Sequence, residues 1–357
     1  MRILYGVVGE GMGHAIRSRV IVERLLADGH QVEIVASSRA HTYLAEHFDG
    51  VREIWGLSMV TGENRVQKWK TALSLIKGAA SGWPDNLRAM WDMTREFAPE
   101  VVVTDFETWA ALYGHDHRIP VICLDNIQAV RRLDHPASIT AGKESEWALA
   151  KSVIKAKIPT ANRYLITSFV DGPVMRKRTL VVPPILRPMI LAAKPTHGDH
   201  ILVYQTAASF PELPEVLASF QDVEFRMYGR SEDGRVPDAP NLTFRTFSEQ
   251  GFVDDLASCR GVIASAGFTL ISEALQLGKP YLATPVEGQF EQLMNARYVQ
   301  HLGYGLAAEE FDRDVVAGFL RRTDEFARSL GHYRRFDNEP VFEALAEALD
   351  SAAAGLL

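Results

Sequence analysis

Two trains of short apolar runs, separated by one proline-rich stretch, constrain this chain more than any other feature. The first train is Ile3–Val8, Val32–Ala36, Val101–Thr104 and Val121–Leu124. The second is Ile201–Tyr204, Val223–Tyr228, Leu242–Thr246, Val262–Ala264 and Tyr281–Ala283. Continuous Val/Ile/Leu runs lack the polar alternation of a half-solvated strand, so they predict strands covered on both faces. Helix-spaced segments lie between them, Ala15–Ala27 and Thr108–His117 among them, and this alternation predicts a parallel α/β sheet in each train. The separator, VVPPILRPMILAAKPTHGD, opposes continuation of helix or strand and ends in small polar residues. It places a boundary near residue 195. The expected organisation is a Rossmann-like domain over 1–195, a second over 196–339, and a terminal helix over 340–357 that can cap either one.

A chain of 357 residues is long enough for two such cores. Lys plus Arg number 38 against 45 Asp plus Glu, a net charge of −7, which disfavours nucleic acid as a partner. Cys123 and Cys259 are too few and too far apart for a disulfide framework or a cysteine zinc spacing. The apolar run after Met1 is too short for a secretory leader, and no stretch is long enough to span a bilayer. These features predict a cytoplasmic protein.

The stretch ASAGFTLISEALQLGKPYLATPVEGQFEQLMNARYVQHLGYG, from Ala264 to Gly305, carries the densest chemistry. A strand ends, Gly267 makes a turn, and a helix begins near Phe268 or Thr269. Unpaired N–H groups and the positive dipole end at such a start suit a diphosphate. Gly267 lets phosphate approach the backbone, and Thr269 adds a hydroxyl. Glu273 follows four residues later on the same helix face, where a carboxylate can accept from both hydroxyls of a ribose.

This segment resembles the donor-binding motif of inverting GT-B glycosyltransferases, both the UDP-dependent small-molecule transferases and the lipid II N-acetylglucosaminyltransferase, over about forty positions. The resemblance implies two Rossmann-like domains facing across a cleft, with a nucleotide sugar, a UDP-sugar in the first instance, held by the C-terminal half. It assigns the diphosphate to Gly267 and Thr269, the ribose to Glu273, and the sugar hydroxyls to Glu291 and Gln292, with Phe268 also among the donor-binding residues. The upstream FSEQGFVDDL, beginning at Phe247, resembles the loop whose backbone reads uracil. Ser265 stands where the plant-type enzymes carry a phosphate-binding histidine, a position the lipid-directed enzymes also leave without one. The nucleotide sugar is a co-substrate, and no cofactor or essential metal is implied.

In the N-terminal half, GEGMGHAIR closes the first strand and places His14 at or just before a helix start. As a dinucleotide fingerprint it fails, because His14 occupies the third glycine position. It resembles the glycine loop of the same transferases, which gives Gly11 and Gly13 to the loop and makes His14 the general base toward the acceptor. Imidazole suits that role because it titrates near neutrality. Asp105, ending VVVTD, matches the aspartate that orients the histidine. Glu107, within the DFE sequence of poorly characterised bacterial and archaeal relatives, is the second carboxylate candidate.

The acceptor is less defined. Residues 65–77 show a basic amphipathic pattern that fits either a membrane surface or packing on the domain itself. Residues 151–190 carry eight basic residues and the single acid Asp171, a strip suited to a lipid-linked or phosphorylated acceptor or to a solvated edge. Two alternatives share the nucleotide site: a GT-B-fold UDP-N-acetylglucosamine epimerase and a noncatalytic sugar-nucleotide-binding protein.

Overall fold

The computed structural model describes residues 1–9, 11–55, 61–62, 65–66, 93–205, 210–229 and 239–357. Two parallel sheets organise it. The first contains β1 (Arg2–Val7), β2 (Gln31–Ala36), β3 (Arg52–Glu53), β6 (Val101–Asp105), β7 (Val121–Asp125), β8 (Arg163–Thr167) and β9 (Thr179–Val182) in the order β3-β2-β1-β6-β7-β8-β9, while β4 (Thr61–Gly62) and β5 (Arg65–Val66) form a separate antiparallel pair. The second contains β10 (Ile201–Tyr204), β11 (Phe225–Tyr228), β12 (Leu242–Phe244), β13 (Gly261–Ser265), β14 (Tyr281–Thr284) and β15 (Gly305–Ala307) in the order β12-β11-β10-β13-β14-β15.

The strand periodicity explains the layers. Ile3, Tyr5 and Val7 enter one apolar cluster and Leu4 and Val102 another, because successive side chains of β1 point to opposite faces. Ile201 and Val203 likewise pack with Phe319 and Phe326, whereas Leu202 faces the cluster that runs on into the first half. The terminal helix Glu339–Ala353 buries Val341, Leu345 and Leu349 among Ile3, Tyr5 and Ile21, so it returns to cover the first sheet. Asn338, just before it, exchanges hydrogen bonds with the backbone of Leu186 at 2.9 and 2.7 Å.

Both sheets reverse direction beside their first strand: β1 lies between β2 and β6, and β10 between β11 and β13. Open α/β sheets bind ligands at the carboxyl ends of strands at such a point. Here those two ends meet. Strands β8 and β9 were not anticipated from the sequence, being polar-flanked, and they lie inside the basic strip. Most of the amphipathic segment 65–77 lies outside the described residues.

Candidate functional site

The helix Met12–Ala27 begins after Gly11, whose φ of 87° lies in the left-handed region open to glycine. His14 is thus the third residue of the helix, inside its first turn rather than before it. Asp105 ends β6, in register with Val7 of β1. This register brings His14 Nδ1 to 2.8 Å from Asp105 Oδ1. Arg17, one turn further along the helix, donates through Nε to Asp105 Oδ2 at 2.7 Å and through Nη2 to Oδ1 at 2.5 Å. Ser18 Oγ adds a donor to Oδ2 at 3.2 Å. Burial alone would raise the Asp105 carboxyl, but the Arg17 guanidinium and the His14 ring outweigh it and hold it down at about 2.

Phe106 follows with a φ of 55°, a strained value for a bulky residue that turns the chain sharply. The turn sends Glu107 the other way. Its carboxylate accepts from the backbone N–H of Trp109 at 3.0 Å and of Ala110 at 2.6 Å, capping the helix Thr108–Asp116. Both oxygens are committed to that cap. Burial pushes its carboxyl up in spite of these donors.

Across the seam, Gly267 precedes the helix Phe268–Gln276, and no side chain caps the helix start. A Cβ added at Gly267 would meet nothing within 4 Å. Thr269 Oγ1 donates to the carbonyl of Gly13 at 3.2 Å, and a Cβ on Gly13 would lie only 2.6 Å from that oxygen. The two glycine turns are therefore in contact, and the positive ends of two helix dipoles converge on one point.

Glu273 is buried, and both of its oxygens accept from Arg187, Nε to Oε1 and Nη2 to Oε2, each at 2.7 Å. Glu291 Oε1 accepts from Asn126 Nδ2 of the first half at 2.7 Å and from Asn295 Nδ2 at 2.5 Å. Burial raises its carboxyl above the usual range, and the two amides oppose that only in part. Phe169 and Phe268 stack across the seam at 5.6 Å. The cavity they line with Asn126, His135 and Asn295 is about 10 Å³, room for one water. The halves touch along this seam.

A family model described as glycosyl transferase family 1 matches residues 1–324. The chain belongs to that family. It is a glycosyltransferase that depends on a nucleotide sugar. An uncharacterized glycosyltransferase of Methanosarcina acetivorans is 24% identical over 382 residues, covering 99% of this chain and 94% of the relative. Among solved structures, the calicheamicin glycosyltransferase CalG4 is 18% identical with a TM-score of 0.64, covering 98% of each chain. Phytolacca americana UGT2, complexed with UDP-2-fluoro-glucose and pterostilbene, is 14% identical with a TM-score of 0.64 over 93% of each chain. The fold of the two halves is GT-B.

Within the glycosyltransferase, the expected residues form two groups. His14, Asp105, Gly13, Thr269 and Gly267 meet at the touching glycine turns, with Glu291 joined to them through Asn126. Gln292 instead stays in its own turn, accepting from Val286 N at 3.0 Å and donating to Gln289 at 2.6 Å. Phe247 is 56% exposed, and most of FSEQGFVDDL is not a loop: Ser248 caps the helix Glu249–Ser258 by accepting from Gly251 N at 2.9 Å. Three site residues escaped the sequence reading. Arg17 was legible as the residue one turn after His14 on the same helix face. Asn126 follows β7 with no spacing signal. Arg187 was counted in the basic strip, but it is buried on Glu273 and presents no charge to an acceptor. Lys157 of the same strip is also buried, over the ring of Phe106 at 4.8 Å. Among the described residues no helix is long and apolar enough to cross a membrane.

Proposed function

We propose that the enzyme transfers a sugar from UDP, with inversion, to a hydroxyl of an acceptor bound by the first half. The observation that carries this reading is the contact between Gly13 and Thr269: it sets a histidine–aspartate pair beside an uncapped helix start. His14 takes the acceptor proton on Nε2 while the acceptor oxygen bonds to the anomeric carbon. The bond from that carbon to the diphosphate breaks on the opposite face, and its electron pair leaves with the diphosphate. The N–H groups at Phe268 and Thr269 receive the growing charge as preorganised donors. Glu273 holds the ribose, and Glu291 the sugar hydroxyls.

UDP as carrier is supported by the Glu273 position and by the UDP-sugar in the Phytolacca enzyme. The acceptor is a lipid-linked or phosphorylated alcohol if the exposed part of the basic strip, Arg176 to Arg178, faces it. The test is a panel of UDP- and dTDP-sugars incubated with cell extract, with products read by mass spectrometry. Transfer from UDP-sugars is expected. Transfer from dTDP-sugars alone would overturn UDP as the carrier, and release of an epimerised free sugar without acceptor would overturn transfer.

A further inference from the structure

Arg17 is 3% exposed, and every polar atom of its head is occupied. Nε and Nη2 take the two oxygens of Asp105, and Nη1 donates to Asn126 Oδ1 at 2.5 Å. Nη2 also lies 2.7 Å from His14 Nδ1. Three atoms thus make a close triangle: Arg17 Nη2, Asp105 Oδ1 and His14 Nδ1. The other titratable groups near it are Tyr5 from β1, Cys123 and Asp125 from β7 and Glu291 from the helix Phe290–His301.

The triangle admits one proton arrangement at a time. A guanidinium only donates. A neutral imidazole has one N–H and one bare nitrogen. If Nδ1 carries the proton, it donates to Asp105 and Nε2 is bare. If Nδ1 is bare, it accepts from Arg17 and Nε2 carries the proton, which leaves no base toward the cleft. Arg17 Nη2, 2.7 Å away, favours a bare Nδ1 directly, so the choice depends on how strongly Asp105 accepts the Nδ1 proton. An ionised carboxylate is a stronger acceptor than imidazole and draws the Nδ1 proton. A protonated Asp105 would itself donate to Nδ1 and reverse the ring.

We infer that Arg17 is a positioning residue: by filling both oxygens of Asp105 it keeps that buried carboxylate ionised and so fixes His14 as the Nδ1–H tautomer with Nε2 bare. The inference rests on the proposed base role of His14 for its consequence in catalysis, but the tautomer is measurable without substrate. A merely structural ion pair would hold the fold together and leave the tautomer indifferent to its loss.

The experiment uses full-length protein labelled with ¹⁵N-histidine at pH 8, with the His14 signals assigned by their absence in His14→Gln. Long-range ¹H–¹⁵N spectra of wild type should show the neutral Nδ1–H form. Arg17→Met should cut the population of that form at least tenfold, in favour of Nε2–H or of imidazolium paired with Asp105. If Arg17→Met does not fold, Arg17→Lys reads the site instead: it keeps the charge with one fewer contact and should shift the ratio in the same direction by less. An Nε2–H ring in wild type overturns the inference. So does a ratio unchanged in whichever variant folds. Transfer assays on His14→Gln separate the two readings, since full activity there would remove the base role while leaving the tautomer result standing.

Discussion

Arg187 holds Glu273 by two parallel hydrogen bonds of 2.7 Å, and its remaining nitrogen reaches Glu249 at 3.2 Å. The carboxylate proposed to receive the ribose is thus already satisfied, by a residue of the segment that joins the two sheets. Fork-to-fork pairing of this kind is among the strong hydrogen-bonding geometries of a carboxylate. A nucleotide that takes Glu273 must displace Arg187 or share the carboxylate with it.

Glu273→Ala should therefore weaken UDP binding by tenfold or more, because charge-assisted hydrogen bonds to the ribose are each worth about 1.5 to 3 kcal/mol. Calorimetry on the folded variant measures it, and an unchanged Kd would remove Glu273 from the donor site. Arg187→Met should behave differently. It leaves a buried carboxylate without its cation, at a cost of about 3 kcal/mol in folding stability. UDP should then raise the Tm of Arg187→Met more than that of wild type. An equal rise would mean that the ribose does not reach the carboxylate.

The contact between Gly13 and Thr269 makes a second prediction. A methyl group on Gly13 would sit 2.6 Å from Thr269 Oγ1, closer than any real Cβ contact. Gly13→Ala should wedge the two turns apart, lowering turnover by about a hundredfold if the base must lie within hydrogen-bond reach of the acceptor. UDP affinity, which the proposal gives to the second half, should change little. Single-turnover rates at saturating donor, set beside UDP calorimetry, read both quantities. Wild-type turnover would show that the closed contact is not the reacting one.

Glu291 gives a prediction in pH. Its folded carboxyl is raised by burial, so the folded state favours the protonated form. For an acid shifted upward, stability is fully present below its unfolded value, near 4.3 on the ordinary scale, and is lost as pH rises toward the folded value. Glu291→Gln keeps Oε1 as acceptor for Asn126 and Asn295 and cannot ionise. The Tm of Glu291→Gln minus that of wild type should grow more positive from pH 5 to pH 8. A difference flat in pH would show that Glu291 is not held against ionisation.

The sequence was most readable where chemistry and periodicity coincide. Ile201–Tyr204 was placed to the residue because it is a short apolar run covered on both faces, and the start at Phe268 to within one because Gly267 marks the turn before it. The pairing of His14 with Asp105 was also within reach, since parallel strands deliver their carboxyl ends to one edge. What a linear reading lacked was the ownership of each charge. Arg187 looked like part of a basic surface, yet a guanidinium between two halves is captured by the nearest buried carboxylate. Glu107 looked like a spare base, yet two residues past a strand end it is placed to cap the next helix. The short apolar runs of β8 and β9, Tyr164–Ile166 and Leu180–Val182, lay inside a segment read for its charge.

The last prediction concerns Asp105 and reverses a simple expectation. Considered with His14 alone, Asp105→Asn looks mild, since the amide keeps the size of the side chain and can still meet the imidazole. Arg17 changes the outcome. The neutral amide leaves a buried guanidinium without its counter-charge, which costs about 3 to 5 kcal/mol, and it offers only one acceptor where Arg17 needs two. Asp105→Asn should therefore lower the Tm well below that of His14→Ala, which leaves the Arg17–Asp105 pair whole. His14→Ala should fold, bind UDP and lose transfer by a hundredfold or more. The wild-type stability should also fall in acid with the sign of a depressed carboxyl. Asp105 contributes above its unfolded value near 3.9, and the contribution disappears as pH falls through about 2, where the folded group takes its proton. Thermal melts of wild type and both variants from pH 7 down to pH 3 measure all three slopes. Below pH 4 the Asp105→Asn curve should fall less steeply than the wild-type curve, because its amide has no proton to gain. Parallel curves would mean that Arg17 does not depend on Asp105 for its charge, and the site would need another anion to explain a guanidinium buried so completely.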